Sequence, residues 1–146
     1  IEKILINLGF TQSVENLIDA ESHWQRGILN VYIGINRFSE WISLAEVGLT
    51  NAGTATEQLV GCGVPCVSLP GKGPQFKRSF ALRQSRLLGG AVIPCDNKKQ
   101  LALRVEFLLG NNEFREKLSI LGSRRMGSEG GSASIALNVL ESLIDS

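Results

Sequence analysis

Histidine occurs once among the 146 residues, at His23, and cysteine three times, at Cys62, Cys66 and Cys95. A single imidazole in a polar, weakly patterned stretch is a poor general base, so His23 reads as a surface or loop residue. Three irregularly spaced thiols build no disulfide framework, and Cys62-x-x-x-Cys66 has no second ligand pair to complete a zinc site. They read as buried, reduced thiols, which points to a reducing compartment. No apolar run approaches the roughly 20 residues that cross a bilayer, and the first residues have no signal-peptide pattern. Neither sign of charge is in excess: 15 Lys and Arg against 14 Asp and Glu leave +1. That balance supports neither a nucleic-acid stripe nor a polybasic membrane tether.

What is present is the balance of a soluble globular domain, 43% hydrophobic and 20% charged, with one domain over residues 1–146 as the expected organisation. The chain opens at Ile1, inside what reads as the end of an amphipathic helix (Ile1, Ile4, Leu5, Leu8), so a preceding part of a larger protein is expected.

Residues 11–25 are polar, with Val14, Leu17 and Ile18 as the only helical hint, and read as a loop with a short helix. A β-rich run at 28–33 ends at Gly34, and 39–47 suits a short helix capped by Ser39. Val47-Gly48-Leu49-Thr50 is a short buried strand leading into a helix over 54–62. A third apolar strand at 65–69 is followed by the glycine and proline loop 70–76, then by a helix over 78–88 that stops at Gly89-Gly90. Ala91-Val92-Ile93 is a fourth strand. Helical periodicity over 97–109, 113–121 and 132–144 has Gly110, Gly122 and Gly130-Gly131 as its stops. Short apolar strands alternating with helices imply a Rossmann-like α/β fold, a parallel sheet with helices on both faces and a helical C-terminal third. Such sheets bind ligands at the carboxyl ends of their strands, here the loops 34–38, 50–54, 70–76 and 94–97.

Two of these loops carry chemistry. Thr50-Asn51-Ala52-Gly53-Thr54-Ala55-Thr56-Glu57-Gln58 runs from a strand through small residues into a helix start. Gly53 admits close approach to the backbone, and the free N–H groups and dipole of the first turn suit a pyrophosphate. Thr54-x-x-Glu57 also has capping-box spacing, which would make Glu57 structural. Pro70-Gly71-Lys72-Gly73-Pro74-Gln75-Phe76 is a shaped loop in which the Gln75 amide offers a donor and an acceptor to sugar hydroxyls; Lys72 reads as solvated. Trp24 and Trp41 read as packing. Asp19, Glu21, Glu106, Glu113 and Glu116 show no convergent pairing for acid/base work.

The order Phe38…Ala45-Glu46, Asn51 to Gln58, Gly61-Cys62-Gly63-Val64-Pro65, then Pro70 to Phe76, resembles the donor half of GT-B glycosyltransferases. The likeness is to the lipid-A-disaccharide-synthase-related proteins, with lipid-A disaccharide synthase and the GlcNAc transferase that makes lipid II more distant. It extends from about Val31 onward and includes Arg125-Met126-Gly127…Gly130-Gly131-Ser132.

The resemblance implies a hexosyltransferase that moves a sugar from a UDP-GlcNAc-like donor, with inversion, to an acceptor such as a lipid or glycolipid. It places Gly53 and Thr54, beside Asn51, at the diphosphate and the base by Arg37 and Phe38. The donor sugar falls to the loop of Gly71, Gly73, Pro74, Gln75 and Phe76. The ribose-binding glutamate of such proteins falls in register on Gln58, with Glu57 one residue early, and the role stays open between them. The resemblance implies no cofactor, no metal and no nucleic acid. Catalytic groups are expected on a missing N-terminal domain, so the isolated chain should bind without turnover. A homo-oligomer is compatible with it, as is a cytoplasmic location peripheral to the inner membrane in a full-length protein. Two other readings stand beside it: a non-catalytic nucleotide-sugar-binding domain and a UDP-sugar 2-epimerase-like enzyme.

Overall fold

A computed structural model describes residues 1–15, 18–51, 53–73, 77–127 and 131–144. The chain divides into two compact units, Ile1–Ser43 and Leu44–Ser146.

The first unit holds helix α1 (Glu2–Asn7), strands β1 (Thr11–Ser13), β2 (Ser22–Arg26) and β3 (Leu29–Ile33), and the one-turn helix α2 (Phe38–Trp41). The strands form an antiparallel sheet in the order β1-β2-β3, with Gln12 opposite Trp24 and Trp24 opposite Val31. This differs from the sequence expectation twice. Residues 11–13 and 22–25 are strand where a loop and short helix were expected, with only the described residues between them left as loop, and the run at 28–33 joins an antiparallel sheet. The reason is local: Arg26 pairs with Leu29 across the two-residue loop Gly27-Ile28, a hairpin that fixes its own register without hydrophobic alternation. The buried pair in β2 is consecutive, His23 and Trp24, so no period of two was visible. The expected helix over 39–47 is shortened to α2 and a 3₁₀ turn over Ile42–Leu44. Its N-cap is Arg37, without a side-chain capping bond, and not Ser39.

The second unit is the α/β layer. Strands β4 (Gly48–Thr50), β5 (Cys66–Ser68) and β6 (Val92–Pro94) form a parallel sheet in that order, with Thr50 opposite Ser68 and Ser68 opposite Pro94. Helix α3 (Thr54–Gly61) connects β4 to β5, and α4 (Arg78–Leu87) lies between β5 and β6. Helices α5 (Lys98–Gly110), α6 (Asn112–Met126) and α7 (Gly131–Ile144) follow. The central strand β5 is buried throughout. Alternation along it sends Cys66 into one cluster with Val60, Leu88, Ala91 and Val92, and Val67 into another with Cys95, Leu108 and Leu118. Helices therefore cover both faces of the sheet, as parallel connections require.

Glycine at position 122 does not end α6, which runs on to Met126. A Cβ there would lie 2.5 Å from Val60 Cγ1 and 2.9 Å from the Ala91 Cβ. The glycine is a contact point where α6 meets the layer beneath it, and the continuous helix outweighs a propensity cost of about 1 kcal/mol. Asparagine caps α5 and α6: Asn97 Oδ1 accepts from the Gln100 N–H and Asn111 Oδ1 from the Phe114 N–H. Among the described residues no helix is long and apolar enough to cross a membrane.

Candidate functional site at the head of helix α3

The turn from β4 into α3 is opened by Gly53, the N-cap of the helix, with φ 99° and ψ −172°. This backbone conformation is essentially restricted to glycine. Among the described residues nothing lies within 4 Å of where a Cβ would stand, so none of them fills the space above the turn. The Gly53 carbonyl accepts from the Thr56 N–H at 3.0 Å and starts the helix. Thr54 and Ala55, both exposed, carry first-turn N–H groups that have no carbonyl one turn earlier within the helix.

With Gly53 as N-cap, Thr54 is the first helical residue and Glu57 the fourth. The expected capping box requires threonine at the cap and glutamate three residues on, so it is one position out of register, and α3 has no side-chain capping bond. Glu57 instead accepts a hydrogen bond at Oε1 from Gln84 Nε2 of α4, at 3.2 Å. The same Nε2 donates to the Gly53 carbonyl at 3.3 Å. Gln58 is exposed. The two residues offered for the ribose are thus separated, Glu57 tied to α4 and Gln58 turned to solvent.

Asn51 is an architectural residue. Its side-chain amide donates to the Leu69 carbonyl at 3.0 Å, and its own carbonyl accepts from Ser68 Oγ at 3.1 Å. It stitches the carboxyl ends of β4 and β5 together and so holds the turn. Gly71 and Gly73 are exposed, as is Lys72 between them, and Gly73 has φ 117°. Pro74, Gln75 and Phe76, along with Ala52, lie outside the described residues. Arg37 and Phe38 belong to the first unit. Arg37 pairs with Asp19 at 2.5 Å and Glu40 at 3.1 Å. The nearby Asp19 carboxylate, then that of Glu40, holds its guanidinium above the usual range. Phe38 is exposed.

Sequence reading missed Gln84. It is 3% exposed, and it recurs at helical spacing with Ala81 and Leu88, both buried. A polar residue on the apolar stripe of a helix was the available signal. Among the described residues its Oε1 has no partner, and neither do the buried hydroxyls of Thr50 and Thr56. These three orphaned groups come from the end of β4, the first turn of α3 and the facing helix α4. Buried polar atoms are nearly always paired, so such a grouping marks this corner as unusual.

Two further sequence expectations are corrected. His23 is buried, with Nδ1 2.6 Å from the Glu15 carbonyl, Nε2 2.8 Å from Asn30 Oδ1 and its ring stacked on Tyr32. Paired ring nitrogens make burial affordable for an imidazole that the sequence placed at the surface. Cys62 is exposed, while Cys66 and Cys95 are buried as expected; Cys62 sits just past the last turn of α3, beyond its packed face. Burial pushes the Cys66 thiol up to about 12 and raises that of Cys95, so neither is a ready nucleophile.

Among the described residues of the second unit, cavities open at two edges of the parallel sheet. One, of about 380 Å³, is lined by Glu46, Pro65 and Arg115, at the amino end of β5, the edge opposite to the one such sheets use. Its Arg115 is occupied in binding the Leu108 and Leu109 carbonyls at the end of α5. The other, of about 600 Å³, lies beyond the carboxyl end of β6 and is lined by Arg78, Pro94, Asp96, Arg104 and Phe107. It is the 94–97 loop of the sequence reading, with Arg78 ion-paired to Asp96. Neither cavity includes Gly53 among its lining residues. Among the described residues no group of three or more His, Cys, Asp and Glu is placed to hold a metal ion.

No protein-family model, curated protein or solved structure matches this chain.

Proposed function

We propose that this chain is the donor-binding half of a GT-B glycosyltransferase, like the lipid-A-disaccharide-synthase-related proteins, and that the head of α3 grips the diphosphate of a UDP-sugar. The observation that carries the reading is the open Gly53 turn at the carboxyl end of a parallel strand, flanked by the orphaned polar groups of Thr50, Thr56 and Gln84. The first-turn N–H groups and the positive end of the helix would meet the charge that builds on a departing UDP. Transfer of a UDP-GlcNAc-like hexose to a lipid or glycolipid acceptor would need catalytic groups from a second, N-terminal domain. The role proposed for this domain is donor binding, without turnover of its own.

Titration calorimetry with UDP and UDP-GlcNAc tests this. Saturable binding at or below millimolar ligand is expected, weakened about tenfold by Gly53→Ala, because a side chain at this φ and ψ strains the turn. Heat that never saturates with either ligand overturns the reading.

A non-catalytic nucleotide-sugar-binding domain is the second reading, favoured by one observation: the only carboxylate of the α3 head, Glu57, is bonded to Gln84 and not left free for a ligand. The 2-epimerase reading is weakened, because both ring nitrogens of the sole histidine are engaged within the first unit.

A further inference from the structure

The Gln84 amide is unusual in being only half satisfied. Its NH₂ end faces two acceptors, the Gly53 carbonyl and Glu57 Oε1, so the amide cannot be turned round without setting oxygen against oxygen. Its Oε1 is then left buried and, among the described residues, without a partner. An apolar side chain of the same length, between Ala81 and Leu88 on the buried stripe, would avoid that desolvation, so stability alone does not account for glutamine here. What glutamine supplies and an apolar residue cannot is a link between the cap carbonyl and the first-turn carboxylate.

That link matters for an anion site. A carboxylate in the first turn of a helix is drawn to the same N–H groups and positive dipole end that would hold a phosphate. Left free, Glu57 would both occupy them and repel an incoming diphosphate. Bonded to Gln84, it is drawn toward α4, and Thr54 and Ala55 keep their N–H groups clear.

We propose that Gln84 is the positioning residue of the α3 anion site, holding the Gly53 carbonyl and the Glu57 carboxylate together so that the helix head is free for a nucleoside diphosphate. The proposal rests on the donor-site reading above. It makes Gln84 a determinant of phosphate affinity in particular, acting through Glu57 and not by touching the ligand.

The experiment compares wild type with Gln84→Met, Gln84→Asn, Glu57→Gln and the double variant Gln84→Met/Glu57→Gln. Each is titrated with UDP and with uridine, and each is melted. Gln84→Met should bind UDP about tenfold more weakly with uridine affinity unchanged, and with a melting temperature no lower than wild type. Gln84→Asn keeps the amide but is one methylene too short for both bonds; it should show the same loss and stands in if the methionine variant does not fold. Adding Glu57→Gln to Gln84→Met should restore UDP binding to the level of Glu57→Gln alone, because the freed group then carries no charge. Equal affinity of wild type and both Gln84 variants for UDP, equal loss of UDP and uridine, or failure of Glu57→Gln to rescue overturns the proposal alone. A wild type that binds no UDP overturns the donor-site reading, and this proposal with it.

Discussion

The two three-stranded sheets of this chain are held together in opposite ways. The antiparallel sheet of the first unit is built on one tight hairpin, β2 to β3, and its stability is tied to specific polar bonds. His23 binds the Glu15 carbonyl and Asn30, the Trp41 indole donates to the Ile18 carbonyl, and Arg26 reaches the Leu8 carbonyl at 2.8 Å while lying over the Phe10 ring. The parallel sheet of the second unit has strands of only three residues each, too short to persist by ladder bonds alone, and depends on the apolar clusters above and below it. The difference teaches where each unit is vulnerable: the first to loss of a hydrogen-bond partner, the second to loss or excess of volume.

The largest expected effect follows from removing volume. Leu108 is fully buried at the centre of one cluster, and Leu108→Ala should lower the stability of the second unit by about 4 kcal/mol through lost burial and a cavity. Both tryptophans, Trp24 and Trp41, are in the first unit, so their fluorescence reports that unit, while far-UV circular dichroism is dominated by the helices of the other. A large shift in the dichroism midpoint with an unmoved fluorescence midpoint in urea sharpens the contrast; identical shifts in both would show one cooperative body and break it. Excess volume comes next: Gly122→Val should cost about 3 kcal/mol by the same readout, since the new side chain must displace Val60 and Ala91. A variant as stable as wild type would remove the close contact from the account of α6.

In the first unit, His23→Phe keeps an aromatic ring against Tyr32 but leaves the Glu15 carbonyl and the Asn30 amide without their partner. It should cost about 2 kcal/mol, read in the tryptophan transition. A neutral outcome would mean that this sheet, too, rests mainly on apolar packing.

The smallest effect is alkaline. Burial raises the Cys66 thiol from 9.0 to about 12, so the folded state holds its proton more tightly than the unfolded one. The stability this gives is fully present below pH 9 and is lost as pH rises toward 12, by about 1 kcal/mol between pH 9 and pH 10. Cys66→Ala should flatten that limb of the stability profile relative to wild type, and an unchanged slope would show that other groups govern it.

The second unit was the more legible of the two. Helices α4, α5 and α7 and strands β4 to β6 lie within a few residues of where apolar periodicity and the glycine stops put them, because buried parallel strands and amphipathic helices write their burial into hydrophobic pattern. The Gly53 turn was legible for the same reason, a small-residue connection between two strongly patterned segments. The hairpin strands were not, since β2 is polar and buries His23 next to Trp24. Nor was the true cap of α3, because Thr54-x-x-Glu57 fits the capping-box spacing one residue away from the register adopted. Gly122 was misread as a stop because propensity speaks only of the helix itself.

By itself the sequence determined the alternation of strand and helix from Gly48 onward, the end of α4 before Gly89-Gly90, and the glycine that opens α3. Those are local matters, decided by the conformations a residue allows and by the period of its apolar neighbours. Only the tertiary structure decided that Gln84 meets Gly53 and Glu57, residues 31 and 27 positions away, that α6 passes through Gly122 against Val60, and that the lone histidine is buried. Each of these depends on a partner that the chain brings near only after packing, and a polar group's energy is set by that partner and not by its own place in the sequence.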